Sequence, residues 1–253
     1  MDLRKSDSLV STYEHCVNAA PENGMVKLWT LEAAAHGAEY CSYFRWRQVP
    51  FGQEQNHAGL FDSRNEISQG ALEVAEVSSI LSKLKSLETF SNEVALMFDY
   101  PAKWMLDIQP QGKEWNYEKL CFEFYTTLRR LGLSIDIISP DHDISKYKLV
   151  VAPSLPVIPK NLLQSAKISK TKLLFGPRSG SKTSEYQIPP KYPFNRDFKF
   201  IKSESLRDGA SLKINMNDKI YYSKNWRDII ECKGINKIEF SDGHPAYIHN
   251  NDY

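Results

Sequence analysis

Residues 43–62 read YFRWRQVPFGQEQNHAGLFD, and the rest of the chain is best understood outward from them. The stretch sets Arg45, Trp46, Arg47, Glu54 and His57 among Tyr43, Phe44, Phe51 and Phe61. Aromatic faces cover the apolar C–H side of a polar ring while Arg, Glu and His bond its hydroxyls, so this chemistry suits a sugar. Residues 38–44 look like a strand entering the loop, and binding residues concentrate on loops held at strand ends. Ahead of that strand, residues 25–36 pattern as a helix through Leu28, Trp29, Leu31 and the alanines 33–35, with Gly37 as its stop. Beyond the loop, residues 71–87 carry Leu72, Val74, Val77, Ile80, Leu81, Leu84 and Leu87 as a broad apolar stripe. Helix, strand, long loop and helix is the pattern of one β/α unit of a TIM barrel, with the loop at its catalytic face.

From residue 93 the pattern changes. Short apolar strands are predicted at 94–98, 134–138, 148–152 and 172–175, with helices at 116–130, ended by Gly132, and at 159–167. Strands that are apolar throughout and alternate with helices belong to a parallel sheet covered on both faces. The fold class is therefore α/β, with a small doubly wound domain of flavodoxin-like order. After Phe198, short strands at 212–214, 220–222, 237–240 and 246–249 are separated by Asn-Asp and Asp-Gly turns. The boundary falls at 87–92, which divides the chain into 1–88 and 89–253.

The composition excludes several classes. A chain of 253 residues with 25% charged residues, 42% hydrophobic residues and a net charge of +1 gives no reason to expect nucleic acid or an anionic membrane as partner. No apolar run is long enough to span a bilayer, and the opening MDLRKSDSLVST lacks a signal peptide's apolar stretch, so a cytoplasmic protein is expected. Cys16, Cys41, Cys121 and Cys232 are scattered without a C-x-x-C pair, which argues against zinc and against a disulfide scaffold. No metal or cofactor is expected. Gly176–Thr183 lacks the spacing of a phosphate loop, and Asp141-His142-Asp143 after Pro140 reads as a solvated turn. Ser154 stands between Pro153 and Leu155-Pro156 without the glycines of a nucleophile elbow. His36 is expected to cap its helix.

Several long motifs carry a resemblance. FRWRQ (44–48), PFGQEQNHAGL (50–60), LWTLEAAAHGAE ahead of them, LLFGPRSGSKTSEYQIPP (173–190) and the final SDGHPAYIHNNDY together resemble the glycoside hydrolase family 42 β-galactosidases, from about Val17 to Tyr253. The resemblance implies that 1–88 is the C-terminal part of the (β/α)8 catalytic barrel. It also implies that 89–253 is a trimerisation domain of glutamine-amidotransferase-like fold, hence a homotrimer. The implied activity is retaining hydrolysis of terminal β-D-galactosides, with Glu54 and His57 as the substrate-binding residues that meet galactose hydroxyls. Arg45 is expected to tie the barrel strand to a carboxylate, and Trp46 to pack.

The two glutamates that retaining hydrolysis requires have no match. Val17-Asn18 fits the step that follows the family's nucleophile, but Ala19 stands where Trp is usual, and Glu14 lies too close upstream to serve. Glu14 is expected to be a solvated residue, and no catalytic residue is assigned. One strand cannot close a barrel. The chain therefore either works with another chain that supplies the remaining strands and both carboxylates, or is a non-catalytic oligomerisation module or inactive truncated remnant. In the lone chain Leu28, Trp29, Val74 and Ile80 should stay partly exposed.

Overall fold

The computed structural model describes residues 21–84, 91–110, 112, 115–194, 198–207, 210–224, 226–232 and 236–249. The chain divides into two units, Met1–Phe90 and Ser91–Tyr253.

In the first unit, helix α1 (Met25–Ala35) begins at Gly24, which has φ 92° and no side chain to cap with. The cap comes from helix α2 (Gln69–Leu81) instead. Glu73 of α2, only 4% exposed, accepts from Gly24 N at 2.7 Å and from Lys27 N at 3.1 Å. A carboxylate there meets the unpaired amides and partial positive charge of a helix N-terminus. Ser68 caps α2 by accepting from Ala71 N. At the other end of α1, His36 Nδ1 donates to Glu32 O at 2.8 Å, as expected of a capping histidine.

Val26 and Trp29 form the core of this unit, with Met25, Tyr43 and Val74 packed against them. Leu28 is exposed and Val74 and Ile80 are half-buried, as expected, but Trp29 is covered, because Tyr43 and Val74 pack onto it. Residues 38–44 do not form the expected strand. They run without a regular ladder, with one bridge at Phe44, because no strand runs alongside them among the described residues. The helix expected to reach residue 87 ends at Leu81, and residues 85–90 lie outside the described residues.

The second unit is built on strands β1 (Val94–Met97), β2 (Ile135–Ile138), β3 (Leu149–Ala152) and β4 (Lys172–Phe175), all parallel, in the order β2-β1-β3-β4. Helices α3 (Tyr100–Ile108) and α4 (Tyr117–Arg130) join β1 to β2, and α5 (Leu162–Ser169) joins β3 to β4. The two sheet faces sort their side chains by alternation. Val94, Leu96 and Val151 pack with Met105, Leu106, Tyr117 and Cys121 of α3 and α4. Ala95, Met97, Val150 and Ala152 pack with Leu162 and Ala166 of α5 and with Ile144, Tyr147 and Leu155. Helix α3 was not anticipated. Asp99 caps it by accepting from Ala102 N at 3.0 Å, with Pro101 in the first turn.

The last part is antiparallel: β5 (Phe198–Ser205) with β8 (Trp226–Cys232), β6 (Leu212–Met216) with β7 (Lys219–Ser223), and β9 (Asn236–Glu239) with β10 (Pro245–His249). The expected turns are where the sequence puts them. Asn217 and Asp218 take φ 48° and 59° between β6 and β7, and Gly243 takes φ 86° between β9 and β10. The β5–β8 pair was not anticipated.

Candidate functional site

The loop that carries Glu54 and His57 is closed at its base by backbone pairing. Gln48 N donates to Phe61 O at 2.9 Å, Phe61 N to Trp46 O at 2.8 Å and Leu60 N to Arg45 O at 2.9 Å. Phe61 also bridges Ile67. Gly59 permits this approach: a Cβ there would lie 2.8 Å from Gln48 N and 2.9 Å from Arg47 C, both immovable backbone atoms. The loop is braced internally by Gln48 Nε2 on Gln55 O at 2.7 Å and by Gln55 Nε2 on Gly52 O at 2.8 Å.

On this frame Arg45, Glu54 and His57 come together. Arg45 Nη2 donates to Glu54 Oε2 at 2.8 Å, and His57 Nδ1 lies 3.8 Å from Glu54 Oε1. The Arg45 guanidinium sits 4.8 Å from the centroid of the Phe44 ring, and the His57 ring meets that ring edge-on at 6.2 Å. Trp46, expected to pack, leans on Phe61 at 4.8 Å but stays 68% exposed. The arrangement offers an acceptor, an imidazole and exposed aromatic faces on one loop, the equipment for holding hydroxyls.

Other concavities lie elsewhere. A cavity of about 770 Å³ in the first unit is lined by Thr30, Ala34, Tyr40, Tyr43, Val77 and Leu81, and none of Arg45, Glu54 and His57 borders it. In the second unit a cavity of about 450 Å³ is walled by Phe175, Tyr192, Phe194, Phe240 and Tyr247. Asp228 borders it, and burial pushes its carboxyl up despite hydrogen bonds from Ser203 Oγ and Arg178 N, both at 2.5 Å. The Arg178 bond ties the Gly176–Thr183 loop to β8, and the Ser203 bond ties β5 to β8.

Ser154 is buried and its Oγ has no hydrogen-bond partner among the described residues, while its neighbour Leu155 donates from N to Ser179 Oγ at 3.0 Å and Gly180 N donates to Leu155 O at 2.9 Å. Asp143 accepts from both Ser145 N and Ser145 Oγ, the geometry of a self-bonded turn. Cys41, Cys121 and Cys232 are free thiols, and burial pushes Cys121 up to about 11. Glu14 and Cys16 lie outside the described residues. Among the described residues no group of three His, Cys, Asp or Glu could hold a metal ion, and no helix is long and apolar enough to cross a membrane.

Comparison with known proteins gives the site its context. The family described as β-galactosidase trimerisation domain matches residues 92–252, and the family described as β-galactosidase matches residues 5–84. The chain is 42% identical over 232 residues to a β-galactosidase of a Thermus species, covering 89% of this chain and 36% of that protein. It is 41% identical over 234 residues to a β-galactosidase of Thermus thermophilus, covering 90% and 36%. The crystal structure of a β-galactosidase from the psychrophilic Marinomonas ef1 superposes with a TM-score of 0.82 at 34% identity, over 92% of this chain and 38% of that one. The chain thus spans about 36% of the length of these curated relatives.

Proposed function

Because the chain belongs to glycoside hydrolase family 42, the β-galactosidases, we propose that it contributes sugar contacts and subunit assembly to a retaining hydrolase of terminal β-D-galactosides. In this reading the first unit is the end of the (β/α)8 barrel. Glu54 and His57 meet galactose hydroxyls, the carboxylate accepting and the imidazole donating or accepting. The two catalytic glutamates belong to the part of the family's barrel that lies outside this sequence. The second unit is the doubly wound, amidotransferase-like domain through which three copies associate. The scattered free thiols fit a cytoplasmic protein.

The observation that carries the proposal is the Arg45–Glu54–His57 cluster inside the segment matched by the β-galactosidase family, followed directly by the segment matched by its trimerisation domain. A second reading, a non-catalytic oligomerisation module, is favoured by one observation: the second unit has two buried clusters, while the first is organised around Val26 and Trp29.

The deciding assay is hydrolysis of a chromogenic β-galactoside by the purified chain, with and without a polypeptide carrying the N-terminal barrel strands of the family. Turnover only in the mixture is the expected result. Silence in both supports the oligomerisation module. Turnover by these 253 residues alone would overturn the placement of both glutamates outside this sequence. Sedimentation of the chain as a trimer is expected, and a monomer at high concentration would contradict assembly through 89–253.

A further inference from the structure

We propose that Arg45 is a positioning residue that sets the Glu54 carboxylate and the His57 imidazole as a fixed pair, a proposal that rests on the sugar-binding reading of those two residues. One planar guanidinium grips Glu54 twice. Nη2 donates to the carboxylate Oε2 at 2.8 Å, and Nη1 donates to the Glu54 main-chain oxygen at 3.4 Å. The side chain and the backbone of the same loop residue are therefore held together.

Arg45 is the anchored partner of the two. Its side chain is 20% exposed against 49% for Glu54, its guanidinium rests on Phe44, and its own carbonyl accepts from Leu60 N at the base of the loop. With Oε2 occupied, Oε1 faces His57 Nδ1 at 3.8 Å. The Phe44 ring under Arg45 is also the ring that His57 meets edge-on, so one aromatic supports both arms of the pair.

The physical gain is preorganisation. A free glutamate samples many rotamers and loses that freedom when it binds. Arg45 removes the freedom beforehand, which lowers the cost of ligand binding. Lysine could reach Oε2 but has no rigid fork to hold a carboxylate and a main-chain oxygen at once. Arg45 thus acts on the sugar only through Glu54.

The test uses NMR on the chain mixed with a polypeptide carrying the N-terminal barrel strands of the family, comparing wild type with R45M, R45K, E54A and the R45M/E54A double variant, with galactose as the probe. Without sugar, R45M should displace the His57 ring nitrogen resonances as E54A does, and R45K should displace them part of the way. With galactose, R45M should weaken binding about tenfold, the scale of one lost hydrogen bond to a charged group, and should add nothing once E54A is present. His57 resonances unmoved by R45M, or losses that multiply in the double variant, would overturn the proposal. If R45M fails to fold, R45K decides alone, and His57 resonances identical to wild type overturn it. Should wild type ignore galactose in that mixture while R45M still moves His57, the sugar-binding reading fails and the clamp stands.

Discussion

At the scale of single residues, the most consequential side chain outside the candidate site is Glu73. Its carboxylate is taken out of water, which raises its pKa, but hydrogen bonds from Gly24 N, Gln69 and Lys27 N outweigh that and hold it below the ordinary glutamate value. A carboxyl whose pKa is lower in the folded state contributes stability above its unfolded pKa and loses it as the pH falls through the folded value. Amides of α1 should therefore lose hydrogen-exchange protection in acid, below the ordinary glutamate pKa of 4.5. The Glu73→Gln variant should lose it already at neutral pH, by about 1–3 kcal/mol, because an amide group turns a donor toward one of the two helix amides. Unchanged protection at Leu28 and Trp29 would show that the cap contributes nothing. Glu73 is a charge fixed by a partner distant in sequence, where no local pattern records it.

At the scale of elements, α3 shows what pattern reading overlooked. Asp99 and Pro101 are a helix start that could have been recognised from the sequence. What the sequence does not show is the brace on that start: Tyr117 OH, from the first position of α4, accepts from Asp99 N at 2.8 Å. Burial pushes the Tyr117 phenol well above its ordinary range. The Tyr117→Phe variant keeps the ring and leaves the amide unsatisfied. It should lower the urea midpoint by the equivalent of about 1–3 kcal/mol with the slope unchanged. An unaltered midpoint would mean that another acceptor takes the proton. The β5–β8 pair escaped for a different reason. Its residues, FKFIKSES and WRDIIEC, mix charge with apolar side chains, and its ladder joins segments far apart in sequence with a bulge between Phe200 and Lys202. The β6–β7 and β9–β10 hairpins were legible because their turns are spelled by adjacent residues.

At the scale of the whole molecule, the two units differ in what holds them. Among the described residues, the second has two buried clusters on opposite faces of a parallel sheet, whereas the first has Val26, Trp29 and the helix contact that Glu73 closes. Among the described residues, large apolar side chains of the first unit, Leu28, Tyr40, Phe51 and Leu72, are exposed. Limited proteolysis of the intact chain should leave a resistant fragment beginning near residue 91, because cleavage follows local opening. Uniform resistance from the first residue would contradict this difference and would require a partner for those faces that the chain itself provides.

The sequence by itself determined the family, the α/β class with parallel strands, the hairpin turns and the capping role of His36. Each of these depends on neighbours along the chain: apolar runs, turn residues with positive φ, and long motifs in fixed order. Tertiary structure alone decided that Trp29 is covered, that residues 38–44 run without a ladder, that Glu73 caps a helix 49 residues away, and which carboxylate Arg45 holds. Those outcomes turn on which groups meet in space. A hydrogen bond between distant residues forms only after packing has brought them together, so no periodicity or motif records it in advance.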